Sequence, residues 1–150
     1  MNKNEAFQKL INEESSTKQR LFYSAVYLFS VKGYSNVGIR ELCRSVHVKE
    51  SAFYNHYCSK EELFNSILAY FAKTSGKVVF DENEIDRIVQ KGDIRHFFNE
   101  NMKKFSSVTD NPLYHTMLQI VFMESYTNNK AYQLAKKSIL SAKRIYGKDS

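Results

Sequence analysis

Residues 38–63 read GIRELCRSVHVKESAFYNHYCSKEEL, and the spacing within them decides the fold. Ile39, Leu42, Cys43 and Val46 recur at i, i+3, i+4 and i+7, the stripe of a short helix with one buried face. Gly38 stands at its N-cap, and Glu41 lies in the first turn, near the positive end of the helix. The stripe stops at Val46-His47-Val48. A second helical pattern then runs through Phe53 and Tyr57. On a helical wheel those two share a side, Ser51 and Asn55 lie opposite, and Ala52 and Tyr54 flank them. Ser59-Lys60-Glu61-Glu62 is a capping box that opens another helix, whose apolar face is Leu63, Phe64, Ile67, Leu68 and Phe71. Two short helices across a tight turn, preceded by a longer one, make a helix-turn-helix candidate.

The longer preceding helix is predicted from Ser16 or Thr17 as cap, through Leu21, Phe22, Ala25, Leu28 and Phe29, to a left-handed stop at Gly33. The segment before it, MNKNEAFQKLINEESST, is polar and charged and reads as an arm with no secretory apolar core. Past Gly76 the pattern stays helical. A short helix with Ile85, Ile88 and Val89 stops near Gly92, and a longer one carries Ile94, Phe97, Phe98, Met102 and Phe105. Asn111-Pro112 is a cap followed by Pro at the first helical position, so a helix starts there and runs to Ser125, apolar nearly all round and therefore buried. A last helix covers 130–146. Residues 76–80 have strand character without a partner strand. One Pro and five Gly in 150 residues are too few for the turns of an all-β fold. The fold class is all-α: a three-helix helix-turn-helix unit, a DNA-binding candidate, followed by a second helical domain, to which the resemblance given below assigns ligand binding and dimerisation. The domains divide as 1–60 and 61–150, joined through the helix starting near Ser59.

Charge points to a partner. Residues 17–60 hold seven Lys and Arg against two Glu, while 77–129 hold six basic and eight acidic groups. A basic block is an electrostatic footprint for nucleic acid, although it also suits a plain solvated surface. Ser51, Ala52, Tyr54 and Asn55 turn outward beside it. Asn pairs bidentately with adenine, and Ala contacts a thymine methyl. Lys49 and Glu50 lie in the first turn, the end that such a helix pushes into the major groove. Two cysteines are too few for a disulfide framework and suit a reducing cytoplasm. No apolar run approaches a membrane span, so no membrane partner is expected.

The residues that carry this pattern also carry a resemblance. Gly33-Tyr34, Ile39-Arg40-Glu41-Leu42, Val48, Ala52-Phe53-Tyr54, His56-Tyr57 and Ser59-Lys60-Glu61-Glu62-Leu63 fall, in order and without gaps, at the spacings of the TetR-like transcriptional repressors. Leu21, Ala25 and Phe29 extend the match, so it covers roughly residues 17–70. The resemblance implies a dimeric repressor of double-stranded DNA with an inducer pocket in its later helices. It implies that Tyr54 and Lys60 contact phosphates and that His56 approaches the backbone. The DNA-binding set is therefore Lys49, Glu50, Ser51, Ala52, Tyr54, Asn55, His56 and Lys60.

Four positions depart from the family. Val37 stands where a phosphate-touching hydroxyl is frequent, and Gly38 replaces a hydroxyl cap. His47 replaces the turn glycine and incurs the cost of φ > 0. Lys49 replaces a Ser or Thr cap and cannot accept an N–H bond. These changes weaken the expectation of tight operator binding more than that of the fold.

The second half of the family varies widely, so its reading rests on chemistry. Phe97, Phe98, Met102, Tyr114, Met117 and Phe122 are the aromatic and methionine residues of an adaptable apolar pocket, with His115 and Glu124 as polar anchors. The same residues also fill ordinary cores. The family ends in two long helices that pair across a dimer. Here one candidate, 130–146, is found, with Ala131, Leu134, Ala135, Ile139 and Ala142 on its apolar face. The expectation is a chain shortened at its C-terminus, which leaves open whether the usual interface is complete.

No metal-ligand spacing, phosphate loop or nucleophile elbow is present, so no cofactor, metal or enzymatic activity is expected. Cys43 belongs to a core face. Cys58 lies before a helix start and beside Lys60, where a lowered thiol pKa and a redox-sensing role are one reading. The leading function is a cytoplasmic, ligand-responsive repressor binding a palindromic operator as a homodimer, its inducer a small molecule. The alternative is a TetR-like adaptor acting through protein contacts with weak or no operator binding.

Overall fold

A computed structural model describes residues 1–74, the single positions 83 and 90, and 111–146, with 138–146 described by backbone alone. The described residues form seven α-helices and one 3-10 turn, with no strand among them. They divide into two compact units, Met1–Tyr70 and Phe71–Ser150. The division falls inside the helix through which the sequence reading joins its two domains.

Unit one opens with a helix where the sequence reading has an arm. Helix α1 spans Lys3–Glu13. Asn2 Oδ1 accepts the Glu5 N–H at 2.8 Å, and Glu5 Oε2 accepts the Asn2 N–H at 3.1 Å, a complete capping box. Phe7 and Ile11 are buried, and the Phe7 ring lies 5.7 Å from that of Tyr27. Few apolar residues suffice for this helix because an existing helix face receives them.

That face belongs to α2, Thr17–Lys32. Ser16 caps it, its hydroxyl accepting from Gln19 N at 3.4 Å. Leu21, Phe22, Ala25, Val26 and Phe29 are buried, whereas Leu28 is half-buried. Gly33 ends the helix at φ 86°, a conformation open to glycine, and its N–H reaches Phe29 O at 2.9 Å. A 3-10 turn, Tyr34–Asn36, leads to α3, Ile39–Ser45. Gly38 is the N-cap of α3 and supplies no side-chain hydrogen bond. Leu42, Cys43 and Val46 face the core as the stripe predicts, with Ile39 half-buried.

The turn after α3 is closed by Val48 N–H to Cys43 O at 3.0 Å. His47 sits in it at φ 57°, the left-handed conformation expected of the missing glycine. Helix α4, Glu50–Tyr54, follows, and α5 spans Lys60–Thr74. Phe29, Phe53, Leu63, Phe64 and Ile67 are shut off from solvent in the middle of the unit.

Unit two holds the end of α5 and two further helices. Asn111 caps α6, Pro112–Glu124, accepting from Leu113 N at 3.0 Å, and Pro112 occupies the first helical turn. Its Leu113, Met117, Leu118, Ile120, Val121 and Phe122 are all buried, as the nearly continuous apolar surface predicts. Helix α7, Asn129–Tyr146, starts where Asn128 Oδ1 accepts from Ala131 N at 3.0 Å. It packs on α6 through the small, buried Ala131 and Ala135. Phe71 stacks on Tyr114, with ring centroids 5.5 Å apart. The strand-like residues 76–80 and the helices expected between 81 and 105 lie outside the described residues, as do the side chains of Ile139 and Ala142.

Candidate nucleic-acid interface

Helix α4 is held from beneath and open above. Phe53 is fully buried and Tyr57 nearly so, their rings 5.6 Å apart. The Tyr57 hydroxyl donates to Lys18 O at 3.2 Å, tying the exit of α4 to the start of α2. Helix α3 is fixed in turn by Arg20 Nη2, which donates to Val46 O at 3.0 Å, by the paired hydroxyls of Ser24 and Ser45, and by the ion pair of Lys32 with Glu41. The two short helices thus ride on a packed base, which a docking element needs.

The expected DNA-facing residues emerge on one stretch. Lys49, Glu50, Ser51, Tyr54, Asn55 and His56 are exposed and Ala52 is half-buried. Tyr54, a large aromatic, is 55% exposed. The helix is shorter than the pattern suggests, because it ends at Tyr54 with Asn55 as its C-cap. Tyr57 packs as expected but from the segment beyond the helix. Lys49 is the N-cap and makes no side-chain cap bond, so its ammonium is left to the surface. Asn55 accordingly sits at the trailing end, about one turn past Ser51.

Two residues differ from a bare docking face. Glu50 Oε1 accepts from Arg40 Nε on α3 at 2.8 Å, and its carboxylate raises the Arg40 pKa further. Arg40 is 80% exposed in its side chain, a basic group beside α4 that the sequence reading did not place in the site. Its match to the family at Ile39-Arg40-Glu41-Leu42 was the signal that could have found it. Lys60 is half-buried, and its Nζ donates to Tyr34 O and Val37 O, each at 2.9 Å. Val37 itself is buried in the core.

Cys58 corrects the sequence reading. Its thiol is exposed, but the Glu62 carboxylate, by hydrogen bond and by charge, holds the pKa above the ordinary thiol value rather than below it. The same carboxylate accepts from Cys58 N–H, while Ser59 Oγ accepts from Glu62 N–H at 3.0 Å. The expected capping box is therefore present with its return bond one residue earlier. The thiol of Cys43 is buried and shifted up by that burial, as a core cysteine should be.

In unit two, five of the residues expected to hold a ligand, Tyr114, His115, Met117, Phe122 and Glu124, share α6. Tyr114, Met117 and Phe122 are buried, and His115 and Glu124 are half-buried. Phe97, Phe98 and Met102 lie outside the described residues. Among the described residues no group of His, Cys, Asp and Glu could hold a metal ion, and no helix is long and apolar enough to cross a membrane.

Residues 21–67 match the family described as bacterial regulatory proteins, tetR family. The chain is also similar to the biofilm operon icaADBC HTH-type negative transcriptional regulator IcaR of Staphylococcus epidermidis, 36% identical over 47 residues, or 31% of this chain and 25% of that protein. The regulator of the same name from Staphylococcus aureus is 26% identical over 68 residues, 45% of this chain and 37% of its own length. The chain thus spans between a quarter and two fifths of these relatives. The family match falls on α2 to α5, the segment whose geometry is described above. Over that segment the chain is similar to the tetR family of bacterial regulatory proteins.

Proposed function

We propose that this chain is a DNA-binding transcriptional repressor that inserts the leading end of α4 into the major groove. The observation that carries the reading is the two-sidedness of α4: Phe53 and Tyr57 are sealed in the core while Lys49, Ser51, Tyr54, Asn55 and His56 stand in solvent. Lys49, Ser51, Ala52 and Glu50 are the base-edge readers nearest the leading end, and Asn55 reads from the trailing end. Tyr54 and His56 take the backbone. The staphylococcal relatives are named as negative transcriptional regulators, which supports repression.

The fuller reading is a cytoplasmic homodimer on a palindromic operator, its two α4 helices about 34 Å apart to match successive major grooves. A small apolar inducer held around α6 would favour the conformation in which that spacing is lost. Fluorescence anisotropy with duplex DNA tests the core of the proposal. Ser51→Asp, which sets a carboxylate against the groove, is expected to abolish binding, and Asn55→Ala to cost about 1–3 kcal/mol at one base-pair position. Binding indifferent to both substitutions would refute it.

A second reading, the adaptor with weak operator affinity, is favoured by one feature. Lys60, the expected phosphate ligand, has its ammonium turned onto two carbonyls. Binding to no duplex at low salt, with a protein partner retained, would select that reading.

A further inference from the structure

Arg40 lies in the first turn of α3, and Glu50 is the first residue of α4. One hydrogen bond joins them, Arg40 Nε donating to Glu50 Oε1 at 2.8 Å. The bond occupies Nε and leaves the far end of the guanidinium, Nη1 and Nη2, which no hydrogen bond among the described residues engages. That end stands in solvent, since the Arg40 side chain is 80% exposed. Its backbone is nevertheless fixed, because Leu42, Cys43 and Val46 seat α3 in the core and Arg20 Nη2 holds Val46 O at 3.0 Å. A firm base therefore presents a guanidinium, braced at Nε, beside the exposed Lys49 and Ser51. Nη1 and Nη2 offer two parallel donors. In the major groove only guanine answers with two acceptors, O6 and N7, whereas adenine sets a donor beside its N7. The carboxylate on Nε also neutralises the pair, which weakens its attraction for a phosphate more than for a base edge.

We propose that Arg40 is a specificity-determining residue that reads one guanine from α3, and that Glu50 is the positioning residue that aims its two Nη groups at the groove. A free arginine loses much rotamer freedom when it docks, and a brace formed before the DNA arrives reduces that loss. Base choice at one position is thereby shared between the two helices, and Glu50 acts on it through Arg40. The inference rests on the DNA-binding reading of α4 and adds to it the base that one residue selects.

The full chain first selects its site from random duplex DNA. Anisotropy titrations on every single-position variant of that site then compare the wild type with Arg40→Met, Glu50→Ala and the double variant. Both side chains are exposed, so all three variants are expected to fold with a Tm close to that of the wild type. Arg40→Met is expected to lower the preference for guanine at one position by about 10- to 100-fold and to leave the preferences elsewhere intact. Glu50→Ala is expected to relax that same position, and the double variant to relax it no further than Arg40→Met alone. An Arg40→Met chain that binds every duplex more weakly by one common factor would make Arg40 a backbone contact and overturn the proposal. Relaxation at a different position in Glu50→Ala, or additive losses in the double variant, would overturn the brace. A wild-type chain that enriches no duplex would refute the DNA-binding reading and this inference with it. A wild-type chain that selects a site whose preferences all survive Arg40→Met would refute this inference alone.

Discussion

Arg40 on α3 and Glu50 in the first turn of α4 form a hydrogen-bonded ion pair, Nε to Oε1 at 2.8 Å, across the turn of the two-helix unit. Both side chains are substantially exposed, so the pair adds little to stability. Its weight falls on the interface. Glu50 sets a negative charge at the leading end of α4, the end proposed to enter the major groove, and Arg40 offsets it. Glu50→Gln is expected to leave thermal unfolding nearly unchanged, to raise affinity for all duplexes at low salt, and to relax preference at one base pair. Anisotropy titrations on a panel of single-position variants of the site check this. No change in either affinity or preference would place Glu50 outside the interface.

His47 turns the chain between α3 and α4 at φ 57°. A side chain there costs roughly 1–2 kcal/mol against the right-handed region, less for residues that tolerate it, and glycine removes that cost. His47 is exposed, so little packing is lost on its removal. His47→Gly is expected to stabilise the chain by about 1 kcal/mol, read as a higher urea midpoint with an unchanged slope. A lower midpoint would mean that the imidazole makes a stabilising contact.

Helix α1 precedes the segment matched to the family, and Phe7 is fully buried. Phe7→Ala leaves a cavity and is expected to cost roughly 3–5 kcal/mol in urea unfolding of the full chain. A cost below about 1 kcal/mol would show that α1 does not form part of the packed unit.

Alkaline stability is set in part by Tyr114, whose phenol is pushed by burial from 10.0 to about 12. The folded chain keeps this proton at a pH where the unfolded chain releases it. Its contribution is therefore complete below pH 10 and is lost progressively as pH rises from 10 towards 12. Tyr114→Phe has no proton to lose and is expected to show a shallower fall in unfolding free energy over that window. Parallel falls in the two proteins would remove Tyr114 as the source.

Much of this was legible because local chemistry and burial agree. Gly33, the stripe Leu42, Cys43 and Val46, and the Asn111-Pro112 start each rest on interactions within a few residues, which a sequence displays directly. Helix α1 was missed although Asn2 and Glu5 form a capping box, because polar residues outnumber Phe7 and Ile11 and the receiving face on α2 is distant in sequence. The α4 boundary was overrun because Tyr57 packs beside Phe53 from outside the helix, which mimics an i, i+4 pair. Lys60 and Glu62 show the harder limit. Carbonyls 26 and 23 residues away decide where the Lys60 ammonium points, and the Glu62 carboxylate, by folding back to Cys58, reverses the pKa shift expected from the helix start.

The central claim is that α4 reads duplex DNA. Selection of bound sequences from random duplexes, followed by titration of the enriched site and of a scrambled duplex over a range of salt, tests it most directly. The account predicts an enriched site bound at least about 10³-fold more tightly than the scrambled duplex, with log K falling linearly as log salt rises. An unenriched pool, with equal affinity for both duplexes at every salt concentration, would contradict it.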